Sequence, residues 1–218
     1  FGKILNLLNN KKCKKVIFAG KIDKPQINKL KLDLKGIYYI ARIIKAAKKG
    51  DAAILKELIK ILLENKIKVI SSISFNPELT LKKGIYSKIK PNKDDALYIK
   101  KGIKILKKTG SYDHVQAVIV RKNDIIKETR SGTRNLIKSI KKNRSQNGVL
   151  IKFPKTKQDL RVDLPTIGIN TFKDLKSKNL KGIVVKGNQN IILDRKDCFK
   201  FIDKNKMFLI AKWKKYLF

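Results

Sequence analysis

Apolar positions recur along this chain in two rhythms, and the switching between them predicts its elements. Ile4, Leu5, Leu7 and Leu8 share one helical face over residues 2–10. Lys15–Gly20 is then a short apolar run, Val16-Ile17-Phe18-Ala19, closed by a glycine, which reads as a buried strand that Pro25 stops. Tyr39, Ile40, Ile43, Ile44 and Ala47 return to helical spacing over residues 36–48. Asp51 is placed to cap a further helix, 52–65, whose apolar face is Ile54, Leu55, Leu58, Ile61 and Leu62. Residues 66–71 form a second strand. Helix and strand alternating at this spacing predict a parallel sheet with crossover helices, so residues 1–109 read as a partial, truncated Rossmann-like domain with a linker helix.

That linker helix spans residues 93–108. It begins after Pro91-Asn92, carries Asp94 and Asp95 in the first turn, where the helix dipole favours acids, and ends at Gly110. Beyond residue 110 the pattern changes to short strands at 116–120, 148–152, 182–186, 190–193 and 207–211. Helices near 133–141, 171–179 and 195–204 separate them. The fold class predicted is α/β, with residues 110–218 as a second α/β domain and the boundary near residue 110.

Composition narrows the function. No stretch approaches the ~18 consecutive apolar residues of a spanning helix, because lysines interrupt every Ile/Leu run. The net charge of +37 invites a nucleic-acid partner, since clustered cations release counterions from phosphate backbones. The type of cation points elsewhere. There are 47 lysines against 7 arginines, with 32 Ile and 16 Asn, the drift of an AT-rich genome, whereas nucleic-acid surfaces favour the bidentate Arg fork and interleaved aromatics. One histidine, His114, and two distant cysteines, Cys13 and Cys198, exclude a His-rich dinuclear centre and a Cys-x-x-Cys zinc site, and fit a reducing compartment. The chain opens inside an amphipathic pattern without Met or a signal peptide, as a chain truncated at its start would.

The segment richest in chemistry runs from Gly148 to Gly168. After an apolar strand come Lys152, Pro154 and Lys155, then Gln158-Asp159-Leu160-Arg161-Val162-Asp163-Leu164-Pro165-Thr166-Ile167-Gly168. Two carboxylates four apart, with an Arg between them and lysines beside them, suit phosphoryl chemistry. The acids hold a hard cation or orient water, and the cations neutralise phosphate oxygens. The plainer reading is that Arg161 pairs with Asp159 or Asp163 across a loop.

This run resembles the signature of the UDP-2,3-diacylglucosamine hydrolases of lipid A biosynthesis, of the type that is not a metallophosphoesterase. Ala19-Gly20-Lys21 with Pro25, Lys49-Gly50-Asp51, Asp113 with Gln116-Ala117-Val118, Glu128 with Gly132-Thr133, Lys152 with Pro154-Lys155, Gly182-Ile183 and Leu193-Asp194-Arg195 occur in the family's order, so the resemblance covers nearly the whole chain. It implies a cytoplasmic, bacterial enzyme, at most peripheral at the inner membrane, whose C-terminal domain is catalytic. The reaction implied cleaves the pyrophosphate of UDP-2,3-diacylglucosamine to lipid X and UMP with Mg²⁺.

Carried over residue by residue, the resemblance makes Asp163 and Asp159 the catalytic candidates. Lys152, Lys155, Arg161, Gln116 and Thr166 are the substrate-binding candidates, and Asp163 with Asp194 the metal ligands. Partners implied are the substrate, transient contact with the inner-membrane surface and a second copy in a homodimer, but not nucleic acid. The competing class is a basic nucleic-acid-binding or ribosome-associated protein without catalysis. Two departures from the family stand out. The family's opening strand and Gly-rich turn precede the start of this chain, and Ser131 and Arg134 stand where the family carries acids beside Gly132-Thr133.

Overall fold

A computed structural model describes residues 2–20, 32–109, 115–156 and 158–212, with the Asp51 side chain outside them. Expectations resting on Lys21, Pro25, Gly110, Asp113, His114 and residues 213–218 lie outside the described residues. The chain folds as two compact units: Phe1–Asn76 with Asp159–Asp163, and Pro77–Gln158 with Leu164–Phe218.

In the first unit, helix α1 (Gly2–Asn10) leads to strand β1 (Lys15–Ile17), helices α2 (Leu34–Ala47) and α3 (Asp51–Glu64), and strand β2 (Lys68–Ile70). The two strands pair in parallel with Val16 opposite Val69, as the alternating pattern required. Leu5 of α1, Ile59, Ile61 and Leu62 of α3, and Ile67 and Val69 form the core. Each such side chain contributes roughly 1.5–3 kcal/mol by leaving water. Asp33 caps α2 by accepting from Gly36 N at 2.7 Å. The cap of α3 is Gly50, at φ 111°, and Asp51 is the first helical residue instead of the cap expected. A left-handed backbone at that junction is open to glycine without a steric cost.

The second unit holds β3 (Gly84–Ile85), α4 (Lys93–Lys108), β4 (Ala117–Arg121), β5 (Asp124–Lys127), α5 (Gly132–Ser139), β6 (Val149–Lys152), β7 (Thr166–Ile167), α6 (Ile169–Ser177), β8 (Gly182–Lys186), β9 (Ile191–Ile192), α7 (Arg195–Lys204) and β10 (Phe208–Lys212). Six strands form a mixed sheet in the order β3-β10-β8-β6-β4-β5. The three central strands, β10, β8 and β6, run parallel, while β4 is antiparallel to both β6 and β5, and β3 is antiparallel to β10. β7 and β9 make a separate parallel pair.

Strand alternation divides the core in two. Ala117, Ile119, Leu150, Ile183, Val185 and Leu209 meet α5, α6 and α7 on one face. Val118, Val120, Val149, Ile151, Val184 and Phe208 meet Ile99 and Ile103 of α4 on the other. The result is a helix–sheet–helix sandwich. Two glycines permit its closest approaches. A methyl group on Gly102 would enter the Ile151 side chain, and one on Gly182 would enter the Phe208 ring.

Helix α4, read from the sequence as the linker of the N-terminal domain, packs on β4 and β6, and the compact units divide at Asn76/Pro77 instead of near residue 110. Its capping box is Asn92 with Asp95. Asp95 does more than complement the helix dipole, because it is buried and its carboxylate meets Lys181 Nζ at 2.6 Å.

Candidate active site

The chain crosses between the units within the segment that carries the chemistry: Asp159–Asp163 belongs to the first, the residues on either side to the second. Each part is built separately.

In the first unit, residues 159–163 form one helical turn, in which Val162 N and Asp163 N both donate to Asp159 O, at 3.1 and 3.0 Å. Val162 anchors the turn in the core, and Ser71 Oγ donates to Leu160 O at 3.1 Å. Arg161 grips Asp159 with its whole fork. Nε donates to Oδ1 at 3.0 Å and Nη2 to Oδ2 at 2.7 Å, while the Arg161 backbone N donates to Oδ1 at 3.0 Å. That bidentate guanidinium holds the Asp159 carboxyl below its ordinary value and raises Arg161 in turn. Asp163 differs. Its carboxylate is half-buried and makes no hydrogen bond or ion pair among the described residues.

In the second unit the candidates gather where the parallel strands end. Lys152, the last residue of β6, is buried at 7% exposure, and its Nζ donates to Thr166 O at 3.0 Å. Thr166 itself is exposed, its hydroxyl turned back to Leu164 O at 3.1 Å. Gln116 lies beside this point, its carbonyl accepting from Phe153 N at 2.9 Å. Lys155 is half-buried, and its backbone N donates to Gln158 Oε1 at 2.8 Å.

Asp194 is exposed, with a left-handed backbone (φ 50°, ψ 47°), at the start of α7. Arg195 does not pair with it. The Arg195 guanidinium lies beside the stacked rings of Tyr86 and Phe199, 5.7 and 5.3 Å from their centres, and donates to Glu78 O at 3.3 Å.

Two buried polar residues that the sequence did not single out as site residues hold this edge together. Glu128, just past β5 and 3% exposed, accepts from Gln116 N at 2.9 Å with Oε2 and from Thr133 Oγ1 at 2.6 Å with Oε1. Asn190, 1% exposed, donates to Lys152 O at 3.1 Å and accepts from Lys186 N at 2.9 Å. An isolated Glu between polar residues and an Asn in a turn carry no periodic signal. Only the Glu128…Gly132-Thr133 spacing in the sequence pointed to this corner.

Cysteine chemistry has no support here. Cys198 is fully buried in the core, desolvation raises its thiol to about 11, and Sγ donates to Leu193 O at 3.2 Å. Among the described residues, no three His, Cys, Asp or Glu side chains lie together as a metal-binding group. No helix among them is long and apolar enough to cross a membrane.

Comparison with known proteins covers both units. A family model described as the LpxI N-terminal domain matches residues 1–79, and one described as the LpxI C-terminal domain matches residues 82–210. The two matches meet close to where the compact units divide. The chain is also 28% identical, over 97% of its own length and 79% of the relative's, to a Caulobacter vibrioides protein named UDP-2,3-diacylglucosamine pyrophosphatase LpxI.

Proposed function

The chain belongs to the LpxI family, and from that premise we propose that it hydrolyses the pyrophosphate bond of UDP-2,3-diacylglucosamine, releasing UMP and 2,3-diacylglucosamine 1-phosphate for lipid A synthesis. The observation that carries the reading is the pair of family matches spanning both units, together with the pyrophosphatase name of the relative. A nucleic-acid partner has only the net charge behind it, and that charge is almost all lysine.

Asp163 is the catalytic residue of this proposal. A half-buried carboxylate without a partner among the described residues is able to accept a proton from an attacking water or to face a cation. Asp159, tied to Arg161, holds the turn that presents it. In the second unit, buried Lys152 and half-buried Lys155 would neutralise diphosphate oxygens, with Gln116 and Thr166 as hydrogen-bonding neighbours.

The donor set suits Mg²⁺, which commonly takes one or two carboxylates and completes its shell with water and substrate phosphates, so a cluster of three acids is not required. Asp163 would hold it, with Asp194 as second candidate. When bound, Mg²⁺ supplies charge neutralisation of the diphosphate. Transient contact with the inner-membrane surface, where a diacyl substrate resides, and a homodimeric assembly complete the proposal.

The test is release of UMP from UDP-2,3-diacylglucosamine, with and without Mg²⁺, by wild type and Asp163→Ala. Turnover that needs Mg²⁺ and falls about 10²–10⁴-fold in the variant is expected. No product from wild type under any condition sinks the enzyme reading, and an Asp163→Ala enzyme at full rate removes Asp163 from the mechanism.

A further inference from the structure

The sheet of the second unit brings together two cations that the sequence keeps 26 positions apart. Lys186 is the last residue of β8 and Lys212 the last of β10, and the parallel register sets their Cα atoms directly opposite one another. Strands paired at this point lie roughly 4.8 Å apart, and partners in register send their side chains to the same face. That face is the α4 side. Val184 and Ile210, two residues back on each strand, belong to the core cluster under α4, whereas Val185 and Ala211 belong to the opposite one.

Both lysines are half-buried, unlike most lysines of this chain, and desolvation lowers the Lys212 ammonium below its ordinary value. Lys186 Nζ lies 5.7 Å from the centre of the Phe153 ring, which packs with the α4-side cluster. Asn190 fixes the end of β8 by accepting from Lys186 N, and Gly187 N donates to Lys212 O at 2.9 Å, so the two strand ends are joined to each other.

The location is informative in itself. In open α/β sheets ligands bind in the crevice outside the carboxyl ends of the parallel strands. Here β6, β8 and β10 all end at one edge, and each of the three strands ends in lysine: Lys152, Lys186 and Lys212.

We propose that Lys186 and Lys212 form a phosphate subsite on the α4 side of this edge, taking a phosphoryl group of a diphosphate or phosphate-bearing ligand between their two ammonium groups. The inference rests on the proposed function in assigning that group to the substrate's diphosphate, and on the register alone in assigning the anion. A pair of ammonium groups on adjacent strand ends reaches two oxygens of one phosphate, and Phe153 provides an apolar wall beside them. Nothing in the two positions reads as a motif, since each is one lysine among 47.

The test measures inorganic pyrophosphate and, separately, UMP binding to the full chain by calorimetry, in wild type, Lys186→Met, Lys212→Met and the control Lys200→Met, an exposed lysine of α7. Methionine keeps the aliphatic stem and removes the charge. Expected is a loss of about 10-fold in pyrophosphate affinity for each strand-end variant, with rescue by Lys186→Arg, and a value within 2-fold of wild type for Lys200→Met. In turnover, KM would rise by a similar factor with kcat little changed.

If UMP weakens in parallel with pyrophosphate, the group held is the nucleotide's phosphate; if pyrophosphate alone weakens, it is the other phosphoryl position. Either result supports the subsite. Pyrophosphate affinity within 2-fold of wild type in both strand-end variants overturns it, and so does an equal loss in Lys200→Met, which would mark the binding as diffuse charge attraction. Hydrolysis without any strand-end effect removes the subsite and leaves the function, while lysine-dependent pyrophosphate binding without hydrolysis does the reverse.

Discussion

Replacing Glu128 with Ala should cost more stability than any surface change in this protein, and the structure sets the size. The carboxylate is buried and both of its oxygens are used, accepting from Gln116 N at the start of β4 and from Thr133 Oγ1 in the first turn of α5. Truncation leaves two donors in a dry corner without acceptors. Each unsatisfied group costs about 1–3 kcal/mol, so the loss is roughly 2–6 kcal/mol, a large fraction of a typical ~5–15 kcal/mol stability. At about 2–4 °C per kcal/mol for a chain of this size, the melting transition should fall by roughly 4–24 °C in calorimetry.

Thr133→Val separates the two contacts. It removes the 2.6 Å donor while keeping the shape, and should cost about 1–3 kcal/mol because the buried carboxylate loses one partner. In the double variant Glu128→Ala with Thr133→Val the orphaned hydroxyl is gone, so the combined loss should be smaller than the sum of the single losses by about 1 kcal/mol or more. A melting temperature within 2 °C of wild type for Glu128→Ala would refute the reasoning. Strict additivity would show that the two side chains act independently.

Two further outcomes follow from the geometry. Asp159 has a carboxyl pKa depressed by Arg161, so the stabilisation from this pair is complete above the ordinary value of 3.8 and is lost as pH falls through the lower folded value; acid titration of the first unit, followed by amide exchange at residues 159–163, should show that loss in wild type and not in Asp159→Asn. Gly182→Ala drives a methyl group into the Phe208 ring at the base of β8 and should destabilise by about 1–3 kcal/mol in chemical denaturation, with Phe208→Leu in the same chain recovering part of it; an unchanged midpoint would show that the ring moves freely.

Much of the fold was legible because periodicity is a local property. The helices at 93–108 and 195–204 and the strand at 182–186 fall where the apolar spacing put them, and the parallel pairing of β1 with β2 follows from strands joined through helices. Strand direction is not local. In the second unit, where the spacing predicted only an α/β domain, β6, β8 and β10 run parallel, β4 is antiparallel to β6, and the tight turn at Lys122, φ 51°, folds β5 back antiparallel on β4. Two-residue strands such as β3 and β7 are too short to carry a period and exist only through their partners. The domain boundary misled for a similar reason. Helix α4 carries an apolar face that fits any sheet, and only packing assigns it to β4 and β6.

The candidate site divides along the same line. By itself the sequence determined the family resemblance, the segment 148–168 and the acids and lysines in it, since residue type and order are what a signature records. Tertiary structure decided how they are used: Asp159 is consumed by Arg161, Asp163 is left without a partner among the described residues, and Lys152 is buried against Thr166 O. It also placed Lys186 opposite Lys212 and closed Glu128 onto Gln116 and Thr133. Those pairings depend on strand register and on burial, which arise from contacts between residues far apart in the chain, and no local pattern of hydrophobic and polar positions encodes them.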